Sequence, residues 1–133
     1  FILGGGIMAL EIGQKFTKEM LVTDKNVVSA ISDSIKFDVL ATPFLVALME
    51  DSCNSSLLPH LEKGYASVGV HVDIFHTAAT PIGHKVWVES EITEIDGRKI
   101  TFNVNAFDDV NGDVGFGTHE RFIVNLERFS KKS

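Results

Sequence analysis

LATPFLVALMEDSCNSSLLPHL, residues 40 to 61, is the longest stretch of the chain with helical spacing, and its reading decides the fold. Thr42 followed by Pro43 marks a helix start. A threonine hydroxyl can accept a free N–H of the first turn, and proline at the next position lacks only a donor that the helix does not use. Beyond it Leu45, Leu48, Met49 and Ser52 fall on one stripe flanked by Phe44 and Val46, the pattern of a face buried in a core. Glu50 breaks that pattern, with Val46 and Cys53 one turn away and Leu57 two turns on. A carboxylate that sheds water in apolar surroundings costs several kcal/mol, in order-of-magnitude terms, unless it is paired or protonated. Glu50 therefore reads either as an acid kept for use or as the edge of the stripe reaching solvent. Asp51, near Ala47 and Ser55, reads as an ordinary exposed acid.

Working outward, the chain of 133 residues suits a single domain with a single core. Its 44% apolar and 23% charged content is that of a globular protein, and no low-complexity tract interrupts it. The net charge of −6 and pI near 5.2 argue against a nucleic-acid partner, which needs a basic excess. The one cysteine, Cys53, excludes an intramolecular disulfide and fits a reducing, cytoplasmic setting. No apolar run approaches the roughly 18 residues that a membrane helix requires. The opening FILGGGIM, residues 1 to 8, looks like a disordered remnant foreign to the fold, with Met8 as a natural start; the domain is then 9 to 133.

Residues 13 to 22 alternate loosely and suggest an edge strand. Residues 32 to 40 have no clean period and form a loop carrying Phe37 across the helix start, as a lid over a pocket or a plug sealing the core. After the helix, Lys63-Gly64 supplies a cation and a cap, and the period changes to two. Even positions are apolar in each of four segments: Ala66, Val68, Val70, Val72 and Ile74; Val86, Val88 and Ile92, with Ser90; Ile100, Phe102, Val104 and Ala106; then Val114, Phe116, Phe122, Val124 and Leu126. Asp96-Gly97 and Asn111-Gly112 provide the positive φ angles of tight hairpins, so the last three strands form an antiparallel meander. One apolar helix and strands with one apolar face each predict an α+β fold in which a curved antiparallel sheet of five or six strands wraps a central helix. Long strand edges predict pairing with a second copy as a homodimer, or in a higher oligomer.

Two residues on these strands carry chemistry. His76 ends the even, apolar row of its strand opposite the helix of Glu50, as a proton carrier near neutral pH or as a satisfied structural histidine. Gly69 sits mid-strand, where it permits a bulge or the close approach of a ligand, or accommodates an aromatic across the sheet. His71, His84 and His119 have no metal-ligand spacing, and no phosphate-cradling glycine loop or nucleophile elbow is present; no metal and no cofactor are expected.

The strings ATPFLVALMED (41 to 51), SVGVHVDIFHTAATPIG (67 to 83) and GTHERFIVNLERF (117 to 129), in that order and spacing, resemble the fluoroacetyl-CoA-specific thioesterase family of hotdog-fold acyl-CoA thioesterases. The resemblance runs from about residue 11 to the end. It implies a hotdog fold dimerised edge to edge, an active site at the dimer interface, and hydrolysis of a small acyl-CoA. It makes Thr42, Glu50 and His76 the catalytic trio, Gly69 the residue whose backbone N–H binds the thioester carbonyl, and Phe37 the lid aromatic. Two departures, Pro43 and the pair Asp51-Ser52, bear on the acyl pocket, so selectivity for a fluorinated acyl group does not carry over. The cations available to CoA phosphates are Lys63, Arg98, Lys99 and Arg121. The rival readings are an acyl-CoA-binding protein without turnover and a hydratase or dehydratase of enoyl thioesters on the same fold.

Overall fold

The computed structural model describes Ile7 and residues 9–34 and 37–132. Strands β1 (Lys15–Leu21), β2 (Tyr65–His76), β3 (Lys85–Asp96), β4 (Lys99–Asp108) and β5 (Gly112–Asn125) form one antiparallel sheet in the order β1-β3-β4-β5-β2. Helix α1 (Thr42–Leu57) packs against all five strands, and a short helix α2 (Leu126–Lys132) follows β5. The expected helix, meander and wrapped sheet are present, with five strands.

Strands β3 and β4 follow strict alternation. Val86, Val88, Ser90 and Ile92 of β3, and Ile100, Phe102, Val104 and Ala106 of β4, are all buried. Opposite them lie Leu45, Leu48, Met49, Cys53 and Leu57 of α1, which completes the core. Inside it Ser52 Oγ is 3.0 Å from Ser90 Oγ, a polar pairing that satisfies both hydroxyls between helix and sheet. The hairpins turn at Gly97 (φ +60°) and Gly112 (φ +78°), where the left-handed backbone favours glycine.

Strands β2 and β5 depart from the expected faces. A β-bulge between Gly69 and His71 inserts an extra residue and reverses the parity of β2. Before the bulge the inward residues are odd: Ser67 is buried and pairs with buried Ile123. After it they are even, with Val72 opposite buried His119 and His76 opposite Gly115. Val70, expected in the core, is 54% exposed. On β5 the buried row is also odd, His119, Arg121 and Ile123, whereas Phe116 and Phe122, expected inside, are half exposed. Phe116 instead stacks on Phe75 across the outer surface, centroids 5.2 Å apart. A side chain at Gly117 would collide with the backbone carbonyl of Asp73, so β5 needs glycine to lie this close to β2.

Of residues 1 to 8, set aside in the sequence, Ile7 is fully buried and bridges Leu61, so it belongs to the packed body; the others lie outside the described residues. Phe37 is 62% exposed and does not plug the core of this chain. No helix among the described residues is long and apolar enough to cross a membrane.

Candidate active site

Thr42 is the first residue of α1, but the capping position is Ala41 and no side chain caps the helix. The Thr42 hydroxyl is thereby free for another partner, and it lies 2.8 Å from Nδ1 of His76. His76 reaches that point because the bulge restores inward parity to the end of β2. Burial holds its imidazole below the ordinary histidine value, against a weaker opposing pull from the Ala78 backbone. Its Nε2 is buried with no hydrogen-bond partner among the described residues. A shallow cavity of about 280 Å³, lined by Val39, Leu40 and residues His76 to Ala79, opens beside the pair.

Glu50 follows Thr42 by eight positions on α1, about 12 Å along the helix axis. Within one chain the structure does not bring Glu50 to His76. It places Glu50 against Gly69 instead. A methyl group on Gly69 would lie 3.2 Å from Glu50 Oε1, 3.1 Å from His119 Cε1 and 3.4 Å from Arg121 Nη1, so these three side chains converge on one α-carbon. Glu50 is half-buried and makes no hydrogen bond or ion pair among the described residues.

The sequence reading missed His119 as part of this cluster and cast Arg121 only as an available cation. Both are buried on the inward face of β5. Arg121 donates from Nε to Ser67 Oγ (2.7 Å), from Nη2 to the Ser67 carbonyl (3.0 Å) and from Nη1 to His119 Nε2 (3.0 Å). Ser67 in turn donates to Asn54 Oδ1 of α1 at 2.7 Å. A guanidinium can only donate, so His119 Nε2 must carry a lone pair; Nδ1 then holds the proton and donates to the His71 carbonyl at 2.8 Å. Both contacts require one tautomer of a neutral ring. Burial first, then repulsion from Arg121, holds His119 below the ordinary histidine value despite the His71 carbonyl. The missed signal was parity: Gly117, His119 and Arg121 share a face with Ile123, so the polar residues of GTHER point inward.

Cys53, one turn from Glu50, is buried and its thiol is pushed up to about 12, chiefly by burial, so it is an inert wall rather than a nucleophile. The departures at 51 and 52 face away from the cluster: Asp51 pairs with Lys18 at 2.7 Å on the surface and Ser52 bonds into β3. Among the described residues no group of three or more His, Cys, Asp or Glu side chains is placed to hold a metal.

Solved structures share this fold over almost the whole chain. The structure of the fluoroacetyl-CoA thioesterase FlK matches with a TM-score of 0.87 and 35% identity, covering 94% of this chain and 96% of that one. A mutant of FlK in complex with fluoroacetate and CoA matches at 0.85 and 36%, covering 90% and 99%. A Thermus thermophilus thioesterase-superfamily protein, at 24% identity and a TM-score of 0.86 over 93% and 90%, shares the fold. Fold and site thus define a hotdog-fold thioester hydrolase. The family model for fluoroacetyl-CoA-specific thioesterases matches residues 22–127, and the fluoroacetyl-CoA thioesterase of Streptantibioticus cattleyicolor is 38% identical over 92% of this chain and 91% of its own. The chain belongs to the fluoroacetyl-CoA-specific thioesterase family.

Proposed function

We propose that this protein hydrolyses a small acyl-CoA to the free acid and CoA at a site shared between two copies of the chain. The observation that carries the reading is the division of the expected residues into two half-sites on one face of α1 and β2. Thr42 with His76 stands at the start of α1, and Glu50 with Gly69 and Arg121 about two turns further along it. Strand β2 lies at the edge of the sheet and leaves Val70, Val72 and Phe75 exposed, which supports pairing with β2 of a second copy. A two-fold antiparallel pairing centred between Gly69 and His76 would set each Glu50 half-site against the other copy's Thr42 half-site.

In the composite site Glu50 attacks the thioester carbonyl by deprotonating a water molecule, or directly, in which case water then cleaves the mixed anhydride to release the acid and restore Glu50. The Gly69 N–H receives the charge that develops on the carbonyl oxygen, a contact typically worth roughly 10² to 10³ in rate. The carbon–sulfur bond breaks, and the departing thiolate takes a proton relayed through His76, whose ring Thr42 orients. Arg121 sets the field around Glu50. Phe37, exposed on the loop before α1, covers the acyl end. The buried thiol of Cys53 suits a reducing, cytoplasmic setting.

Free-thiol release from acetyl-, fluoroacetyl-, longer aliphatic and aromatic acyl-CoAs, with Glu50→Gln as control, tests this. The expected result is release from the small acyl members that falls at least about 10² in the variant. Intact acyl-CoA retained for hours with no thiol released would overturn hydrolysis in favour of a binding protein.

A further inference from the structure

We propose that the groove where the β3–β4 turn meets the start of α2 binds a 3′-phosphorylated adenosine diphosphate, the nucleotide end of CoA. The inference rests on the hydrolase reading above for the identity of the ligand, and on separate residues for the site.

The groove is a cavity of about 390 Å³ lined by Arg98, Phe122, Asn125, Arg128 and Phe129 and neighbouring backbone. Two guanidinium groups meet there in a chain of net charge −6. Arg98 lies over the ring of Tyr65, 5.5 Å from its centroid, and its backbone carbonyl accepts from Ile123 N at 2.9 Å, which fixes the turn against β5. Arg128 enters from α2, whose first turn is tied by a bond from Arg128 N to Asn125 Oδ1 at 3.1 Å. Both charges are felt at Tyr65: its phenol is held below its ordinary value by Asn125 first, then by Arg98 and Arg128. The nearest helix acid, Glu127, is engaged by Lys131 at 3.2 Å.

Planar guanidiniums match phosphate oxygens two at a time, and aromatic faces accept a purine by stacking. Phe122, 41% exposed, offers such a face beside the two arginines. The position also fits a substrate that spans two places. Tyr65 begins β2, and Gly69 lies four residues along the same edge strand, about 13 Å away, a distance the pantetheine arm bridges. Nucleotide binding in this groove would anchor many acyl groups alike and leave selectivity to the acyl end.

The test compares kcat/KM for an acyl-CoA with that for the same acyl group on pantetheine, which lacks the nucleotide. In Arg128→Glu the ratio should fall about tenfold, the loss of one charge-assisted contact and more. Lys131→Glu, on the same helix but outside the groove, should keep the wild-type ratio. A wild-type ratio in Arg128→Glu overturns the proposal, as does an equal fall in Lys131→Glu. If neither ester is hydrolysed, calorimetry with adenosine 3′,5′-bisphosphate decides separately. Binding by the wild type that Arg128→Glu abolishes upholds the groove, and no binding by the wild type overturns it.

Discussion

The hydroxyl of Thr42 and Nδ1 of His76 lie 2.8 Å apart although 34 residues separate them in sequence. Because Ala41 occupies the cap position and Thr42 makes no capping bond, this contact is the only hydrogen bond of the hydroxyl among the described residues. Thr42→Val should therefore lower kcat by about 10² while costing less stability than the ~1 kcal/mol typical of a lost cap. Thr42→Ser, which keeps the oxygen, should retain most of the turnover. Paired thiol-release and urea-unfolding measurements check this; a large stability loss with full turnover in Thr42→Val would reverse the assignment.

Gly69 is the point on which Glu50, His119 and Arg121 converge. An added methyl would stand 3.1 to 3.4 Å from all three, so at least one must shift by a few tenths of an ångström. Small displacements of reacting groups are costly, and Gly69→Ala should lose at least about tenfold in kcat. The φ of Gly69 lies outside the left-handed region, so no backbone strain adds to that crowding and the variant should still fold. Unimpaired turnover in Gly69→Ala would remove Gly69 from the site.

Which parts were legible follows from which side chains face inward. In β3 and β4 the inward row is apolar or small, Val86 to Ile92 and Ile100 to Ala106, and period two gave the right face. In β5 the inward row is His119 and Arg121, while the outer row carries Phe116 and Phe122, so hydrophobicity pointed the wrong way. Burying those polar groups is tolerated only because Ser67 and the His71 carbonyl satisfy them, a pairing no local pattern reveals. The bulge in β2 was hinted at by Gly69, yet its effect on parity was not. Likewise Thr42 and Pro43 located the helix start, but only the fold shows the hydroxyl turned to His76 rather than to the helix.

Acid should destabilise this protein earlier than carboxylate titration alone requires. His76 and His119 both sit below the ordinary value of 6.5, with burial the largest cause in each. In the unfolded chain they take up protons near 6.5, so as pH falls below that value the unfolded state binds more protons and stability drops, until the folded values are passed. The unfolding midpoint should decline as pH falls through the ordinary value of 6.5. His119→Gln should flatten part of that decline, and a slope identical to wild type would exclude His119 as a contributor.

Asp108 carries the last prediction, because it ties the β4–β5 turn to the segment after His76. Its Oδ2 accepts from Thr80 Oγ1 at 2.6 Å and Asn111 Nδ2 at 3.0 Å; its Oδ1 accepts from the backbone of Val110 at 2.9 Å and Asn111 at 2.6 Å. Asn111 also donates to the Ala79 carbonyl at 2.7 Å. Burial raises the carboxyl, but these donors outweigh it and hold Asp108 below the ordinary 3.8. With the folded value depressed, its stabilisation is complete well above 3.8 and is lost as pH falls through the folded value. Asp108→Asn places an N–H₂ where only donors face it, so about 1 to 3 kcal/mol should be lost at neutral pH. Chemical denaturation of both proteins as a function of pH checks this: the gap between them should narrow below 3.8, and a gap that is absent at neutral pH would show that the turn holds without Asp108.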